Sequence, residues 1–296
     1  MELLITGATG LTGNFFIERL TQNYPDLSAN CLVRPTSDYS YLKNLNPNLQ
    51  YLTGDSSTKE TWQAILSKHY PKTIIHIASI RHIPIILESL ETAKKTPRLI
   101  VVGTTGVYSQ FNQYSAIYRE IESQLAGYPG SHCLVRPTMI YGSHRDKNLH
   151  KLIKFCHRYG FFPVFGSGNN LVQPIHADDI AKTLLYAWQN PNIQGAYDIS
   201  GESIVNFREL LALVEKLIDK PARPLFLPLN FGILSATILE KILKKRSPIR
   251  KEQILRLQED KAYPHDAAKR DLQFSPRSLE VGLKEEVELM RSQGII

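Results

Sequence analysis

The chain of 296 residues carries 35 Lys and Arg against 28 Asp and Glu, a net charge of +7, and 43% of it is apolar. A chain of this size and ordinary soluble composition buries a large core, as one big α/β unit or as two closely packed domains. Cys31, Cys133 and Cys156 are odd in number, widely spaced and set among apolar neighbours, so neither a disulfide framework nor a metal site is expected, only core thiols. Met1 is followed almost at once by a strand, which leaves no room for a signal peptide, and a cytoplasmic protein is expected.

The first apolar run, residues 3–5, leads into Gly7-Ala8-Thr9-Gly10-Leu11-Thr12-Gly13 and then into a helical pattern over 14–20. Glycine turns tightly where a Cβ would clash, and bare backbone N–H groups at a helix N-terminus form a site for a pyrophosphate. A strand before the loop and an amphipathic helix after it are the context a dinucleotide-binding loop requires, so Gly7, Thr9, Gly10, Leu11, Thr12 and Gly13 are the expected cofactor contacts. A plain glycine turn is the alternative.

Further strands are expected at 29–33, 49–52, 73–77, 98–102 and 132–135, alternating with helical stretches, and another at 196–199 after a helix over 180–188. Strands this apolar are covered on both faces, which predicts a doubly wound parallel sheet, a Rossmann fold, with a smaller, mostly helical C-terminal part closing over the strand ends. At the end of the second strand, where an acid would bond the ribose 2′-hydroxyl, stands Arg34; followed by Thr36 and Ser37, it suits a 2′-phosphate. NADP is therefore preferred, NAD remains open, and a solvated strand-end arginine is the alternative. Ala78 and Ser79 would pass the backbone close to the cofactor, whereas His76 inside the fourth strand reads as a buried, hydrogen-bonded histidine.

Between residues 241 and 251 six of eleven residues are basic and none is acidic. The apolar stretch before them, 225–239, is interrupted by Pro228 and Asn230 and is too short to span a bilayer. A packed helix is the plainer reading, and a helix resting on an anionic membrane surface is the alternative. No nucleic-acid-binding signature accompanies the basic residues, so no nucleic acid partner is expected.

Several stretches, in order, resemble the short-chain dehydrogenase/reductase superfamily in its extended and atypical branch, the NAD-dependent epimerase/dehydratase-like proteins. They are the opening Gly-x-x-Gly-x-x-Gly loop, Gly54-Asp55, residues 74–78, Val101-Val102-Gly103-Thr104-Thr105-Gly106-Val107-Tyr108, residues 134–142 around Arg136-Pro137, Pro174-Ile175-His176-Ala177-Asp178-Asp179, and more weakly 268–276. The resemblance implies that Asp55 and Ser56 meet the adenine, although Asp55 equally suits a cap for the helix beginning near Thr58. It also implies that Thr104 orients a substrate oxygen and that Tyr114 exchanges its proton. Position 118, where the family carries the lysine that assists this tyrosine, is Tyr118, and Arg119 is turned about 100° away on a helix. An aromatic pair at Tyr114 and Tyr118 that merely packs the helix is the alternative.

A second departure is Val172, at the position of the arginine that grips the diphosphate of nucleotide-sugars; Arg145, Lys147, Lys151 and Arg158 are the nearby cations. Arg136 and His176 read as residues that fix the domain junction. The expected division is 1–145 plus about 171–200 for the Rossmann domain and about 146–170 plus 201–296 for the substrate cap. The function expected is an NAD(P)-dependent oxidoreductase or epimerase acting on a carbonyl or secondary alcohol of a small molecule, with a sugar nucleotide as one substrate class and a homodimer as one assembly. The alternative is a catalytically weak or inactive NADP-binding regulatory or structural protein.

Overall fold

Each of the seven expected apolar runs forms a strand in the computed structural model, which describes residues 2–244 and 250–296. The chain opens with β1 (Leu3–Thr6), α1 (Leu11–Asn23), β2 (Asn30–Val33), α2 (Ser40–Leu45), β3 (Gln50–Thr53), α3 (Lys59–Lys68), β4 (Thr73–His76), α4 (Ile83–Thr92), β5 (Arg98–Val102), α5 (Ser115–Ala126) and β6 (His132–Pro137). It continues through β7 (Ile140–Tyr141), α6 (Leu149–Tyr159), β8 (Phe161–Phe165), β9 (Leu171–Val172), β10 (Ile175–His176), α7 (Ala177–Gln189) and β11 (Gly195–Ile199). The last segments are β12 (Val205–Asn206), α8 (Phe207–Ile218), β13 (Arg223–Leu227), α9 (Leu229–Leu243), α10 (Lys251–Arg256), α11 (Asp266–Leu272) and α12 (Leu279–Ser292).

Seven strands make one sheet in the order β11-β6-β5-β4-β1-β2-β3, parallel throughout. Alternate residues of a strand point to opposite faces, so each strand feeds two cores. On one face Leu3, Ile5, Ile75, Ile100 and Ile199 meet Phe16 and Ile17 of α1 and Ile180 and Leu184 of α7. On the other Leu4, Ile74, Leu99 and Val101 meet Trp62 of α3, Ile86 of α4 and Ile121 of α5. The order reverses between β1 and β4, and the crevice outside the carboxyl ends of these two strands is where an open parallel sheet binds its ligand.

A third core gathers Ile153 and Cys156 of α6, Leu210 and Val214 of α8, and Leu283, Val287 and Met290 of α12. This part is not purely helical: β8 pairs with β13 and β9 with β12 as two small sheets. Ala268 and Leu272 of α11, together with Phe274, return to pack against the large sheet beside α7. All three cysteines are free and buried, and burial pushes the Cys31 thiol up to about 12. Pro228 ends β13, but Asn230 does not interrupt α9; it lies exposed on that helix, where its amide stays solvated. Of the basic run, residues 245–249 lie outside the described residues.

Among the described residues, Glu286 is a fully buried carboxyl with no cation bonded to it. Glu286 of α12 accepts the Gly142 N–H at 2.9 Å, its other oxygen has no partner, and it lies against the buried Asp146. Burial first, and then the Asp146 carboxylate, raise its pKa far above the usual carboxylate range. Folding therefore takes up a proton at Glu286. The stability that goes with the neutral form is complete below the ordinary glutamate pKa and is lost as pH climbs toward the folded-state value. Glu286→Gln keeps the neutral shape, so its melting temperature should fall less than that of the wild type between pH 5 and pH 9. Thermal melts across that range check this, and parallel curves would show that Glu286 is not neutral in the fold.

Candidate active site

Two glycines set the geometry of the loop after β1. Gly7 takes φ +77°, and a Cβ there would stand 2.7 Å from the Ala78 backbone nitrogen, at the end of β4. A Cβ on Gly13 would sit inside the contact shell of the Gly7 carbonyl oxygen, so only glycine lets α1 rise this close to its own loop. Gly10 is the N-cap of α1 and offers no side-chain bond; Asn14 N–H, donating to the Gly10 carbonyl at 2.9 Å, is the first amide to close a helical turn. The Leu11, Thr12 and Gly13 amides are left pointing out of a 13-residue helix, at the positive end of its dipole.

Arg145 arrives at this loop from the β7–α6 connection, 136 residues away in sequence. Its Nη2 donates to the Thr9 carbonyl. With the Asn14 amide nitrogen donating to the Ala8 carbonyl at 2.9 Å, the Asn14 oxygen accepts from Arg145 Nη1 at 2.7 Å. Among the cations expected to serve a substrate diphosphate, Arg145 thus sits on the glycine loop.

Along the strand ends, Arg34, Pro35 and Thr36 are exposed after β2, and Ser37 turns back to the Arg34 carbonyl at 3.0 Å. Asp55 follows β3 and accepts the Ser57 N–H at 2.8 Å and its hydroxyl at 2.7 Å, bonds that hold its carboxyl below the usual range, helped by His82 and Arg34. Its carboxylate does not cap α3, whose N-cap is Thr58. Ser56 is buried, with its Oγ 2.9 Å from His82 Nδ1. His76 is buried too: Nε2 donates to the Ser79 carbonyl at 2.9 Å, which leaves Nδ1 to accept from Thr6 Oγ1 at 2.7 Å. Burial lowers its pKa to about 4, so it stays neutral and holds the β4 end in place.

Thr104, after β5, accepts the Gly106 N–H on its Oγ1 at 3.0 Å, which leaves its O–H free to donate. Tyr114 is half-buried at the N-cap of α5, with its ring centroid 6.3 Å from that of Tyr118. The guanidinium of Arg81, from the single turn after β4, stacks over the Tyr114 ring at 5.0 Å. Sequence reasoning missed this residue. Arg119 donates to the Val107 carbonyl at 2.9 Å and plays no part beside Tyr114. The loop between Thr104 and Tyr114 is pinned from the far end of the chain: the Glu259 carboxylate accepts the Ser109 hydroxyl at 2.7 Å and the Gln110 and Phe111 amides at 2.7 and 3.2 Å.

Tyr108 is a different kind of tyrosine. It donates to Asp198 at 2.9 Å, and partial burial together with that bond pushes its pKa up to about 12, so it keeps its proton. Arg136 grips Glu122 of α5 through two bonds of 2.9 and 2.7 Å and reaches the Tyr108 hydroxyl at 3.2 Å. His176 is the N-cap of α7, accepting the Asp178 N–H, and burial lowers its pKa to about 4. Val172 lines a small cavity with Phe162, Phe165, Phe207, Leu257 and Lys261, whose Nζ donates to the Arg256 carbonyl at 2.6 Å. Among the described residues no cluster of three or more His, Cys, Asp or Glu is arranged to hold a metal.

The glycine loop is the least forgiving element of this site. Gly13→Ala should cost about 1–3 kcal/mol, the range for overpacking a tight site, and should abolish dinucleotide binding. Denaturant unfolding and cofactor fluorescence titration check the two parts separately.

The sequence model of the NAD dependent epimerase/dehydratase family matches residues 3–200. A trifunctional UDP-glucose 4,6-dehydratase/UDP-4-keto-6-deoxy-D-glucose 3,5-epimerase/UDP-4-keto-L-rhamnose-reductase from Arabidopsis thaliana is 25% identical over 245 residues, covering 67% of this chain and 36% of its own. The chain thus spans about a third of the length of that relative. The N-acetyl-alpha-D-glucosaminyl-diphospho-ditrans,octacis-undecaprenol 4-epimerase of Escherichia coli O157:H7 is 27% identical over 119 residues, 38% of this chain and 35% of that protein. Among solved structures, dTDP-glucose 4,6-dehydratase from Bacillus anthracis in complex with NAD superposes with a TM-score of 0.76 at 15% identity, covering 100% of both chains.

Proposed function

The chain belongs to the NAD dependent epimerase/dehydratase family, and from that premise we propose that it is a dinucleotide-dependent enzyme that interconverts a secondary alcohol and a carbonyl on a sugar carried by a diphosphate. The observation that carries the reading is the uncapped first turn of α1, with the Leu11, Thr12 and Gly13 amides bare and no room for a Cβ at Gly7 or Gly13. These residues fit a pyrophosphate, which the amides and the helix dipole would hold, with Thr9 and Arg145 beside it.

At the adenosine end Asp55 and Ser56 would meet the base, and Ala78 and Ser79 would line the path toward the reacting end. Arg34 is exposed with Thr36 and Ser37 after it, an arrangement that suits a 2′-phosphate and so favours NADP over NAD. The nicotinamide, when bound, supplies the hydride acceptor and donor. The chain supplies the proton chemistry. Thr104, its acceptor side taken by Gly106, would donate its O–H to the substrate oxygen, and Tyr114 would take or return that oxygen's proton through its own Oη. The charge that grows on the Tyr114 ring as it loses a proton lies under the Arg81 guanidinium, so Arg81 would serve in place of the lysine absent at position 118. For the substrate's diphosphate, Lys261, which pairs with Val172 through the backbone, lines the same cavity and donates its Nζ to the Arg256 carbonyl at 2.6 Å, would be the candidate cation. The division into a cofactor half, 1–145 with about 171–200, and a cap closing over it belongs to the same proposal.

A second reading, a dinucleotide-binding protein without turnover, draws on Tyr118 alone. Assaying cofactor-loaded protein against UDP- and dTDP-sugars and polyprenyl-diphosphate sugars separates the two, since binding without turnover would favour the second. Tyr114→Phe should lower turnover by about 10² to 10⁴ with cofactor binding kept. Arg81→Gln should lower it about ten- to a hundredfold, the worth of one charged contact, and normal turnover in either variant would remove that residue from the chemistry. Arg34→Ala should weaken NADP binding about ten- to a hundredfold and leave NAD binding unchanged, as read by titration with both cofactors.

A further inference from the structure

The helix α9 is apolar on nearly every side, yet only one side of it is used by the fold. Gly232 and Ala236 are its buried residues, and Gly232 lies so close to the Phe165 ring that an added Cβ would stand 2.5 Å from it. At 100° per residue, Phe231, Leu234, Ile238 and Ile242 fall within an arc of about 80° on the opposite side. They are 57%, 60%, 48% and 70% exposed. Four large apolar side chains in a row on a helix already packed through its other face form a patch, not scattered exceptions.

The exposed charges at the C-terminal end of the patch are cations. Lys241 and Lys244 are exposed at the C-terminal end of α9, and Arg250 and Lys251 are exposed where the chain enters α10. Of the flanking acids, Glu240 projects about 180° from Phe231, away from the apolar arc, and Glu252 lies 4.0 Å from Arg256 within α10. A protein partner normally meets an apolar centre ringed by a polar rim. An apolar stripe ended by cations alone matches the boundary between acyl chains and anionic headgroups. At 15 residues α9 is too short to cross a bilayer, and no helix among the described residues is long and apolar enough to do so. The helix would lie in the plane of the surface.

We propose that the outward face of α9 docks this protein on an anionic membrane, with Phe231, Leu234, Ile238 and Ile242 inserted among the acyl chains and the basic residues at its C-terminal end against the headgroups. Because these side chains sit outside the cores of the molecule, they can be changed without unfolding it. The test is cosedimentation of the intact protein with vesicles of mixed phosphatidylglycerol and phosphatidylcholine, and with phosphatidylcholine alone. The wild type should partition onto the anionic vesicles at least about tenfold better than onto the neutral ones, in keeping with several cations at the surface. Leu234→Asn with Ile238→Asn should lose binding to both. Lys241→Glu with Lys244→Glu should lose about tenfold or more on anionic vesicles only, with melting temperatures of both variants unchanged. Equal partition onto the two vesicle types, or none, would overturn the proposal. So would sedimentation equilibrium showing a dimer that the asparagine variant dissociates while vesicles bind neither form, since a second copy would then cover the face.

Discussion

The ion cluster at the start of α7 holds the molecule's parts in one arrangement. Asp178 accepts two bonds from Arg19 of α1 and one from Arg277, and Asp179 accepts the backbone N–H of Arg277 at 3.0 Å and its guanidinium at 3.1 Å. Burial alone would raise the Asp178 carboxyl, but the two arginines overcome it and hold the pKa below the usual range. Both acids also lie at the positive end of the α7 dipole, under the His176 cap. Removing one partner from so buried a cluster leaves a charge unmatched, at a cost of about 3–5 kcal/mol. Three chain segments meet there: the helix that carries the glycine loop, the helix that packs against it, and the segment leading into α12. These contacts, with those of Arg145 on the glycine loop, tie the loop to the small C-terminal core.

The crevice between them is assembled from groups that each do one thing. Gly7 and Gly13 bring backbone amides to the surface, His76 stays neutral and braces the β4 end, and Glu259 fixes the loop that separates Thr104 from Tyr114. Tyr108 and Tyr114, both in the stretch after β5, differ in their partners. Tyr108 is bonded to a carboxylate, which opposes loss of its proton, while Tyr114 lies beneath a cation.

Local pattern by itself determined the sheet, the glycine loop and the helix after it. Strands buried on both faces must be apolar, and a loop that brings α1 within contact of its own carbonyls must be glycine, so both leave marks within a few consecutive residues. The buried, hydrogen-bonded state of His76 was legible for the same reason, whereas the capping role of His176, read from sequence only as part of the domain junction, was not. What only the tertiary structure decided is which side chains meet across the strand ends. Arg145 reaches Thr9 across 136 residues, Glu259 reaches Ser109 across 150, Asp198 reaches Tyr108 across 90, and Arg81 comes to Tyr114 from a different strand end. A charged side chain on an exposed turn looks the same in sequence whether it is solvated or stacked on a ring. Its partner is set by the order in which parallel strands lie side by side, and that order brings together residues whose separation along the chain carries no record of their contact.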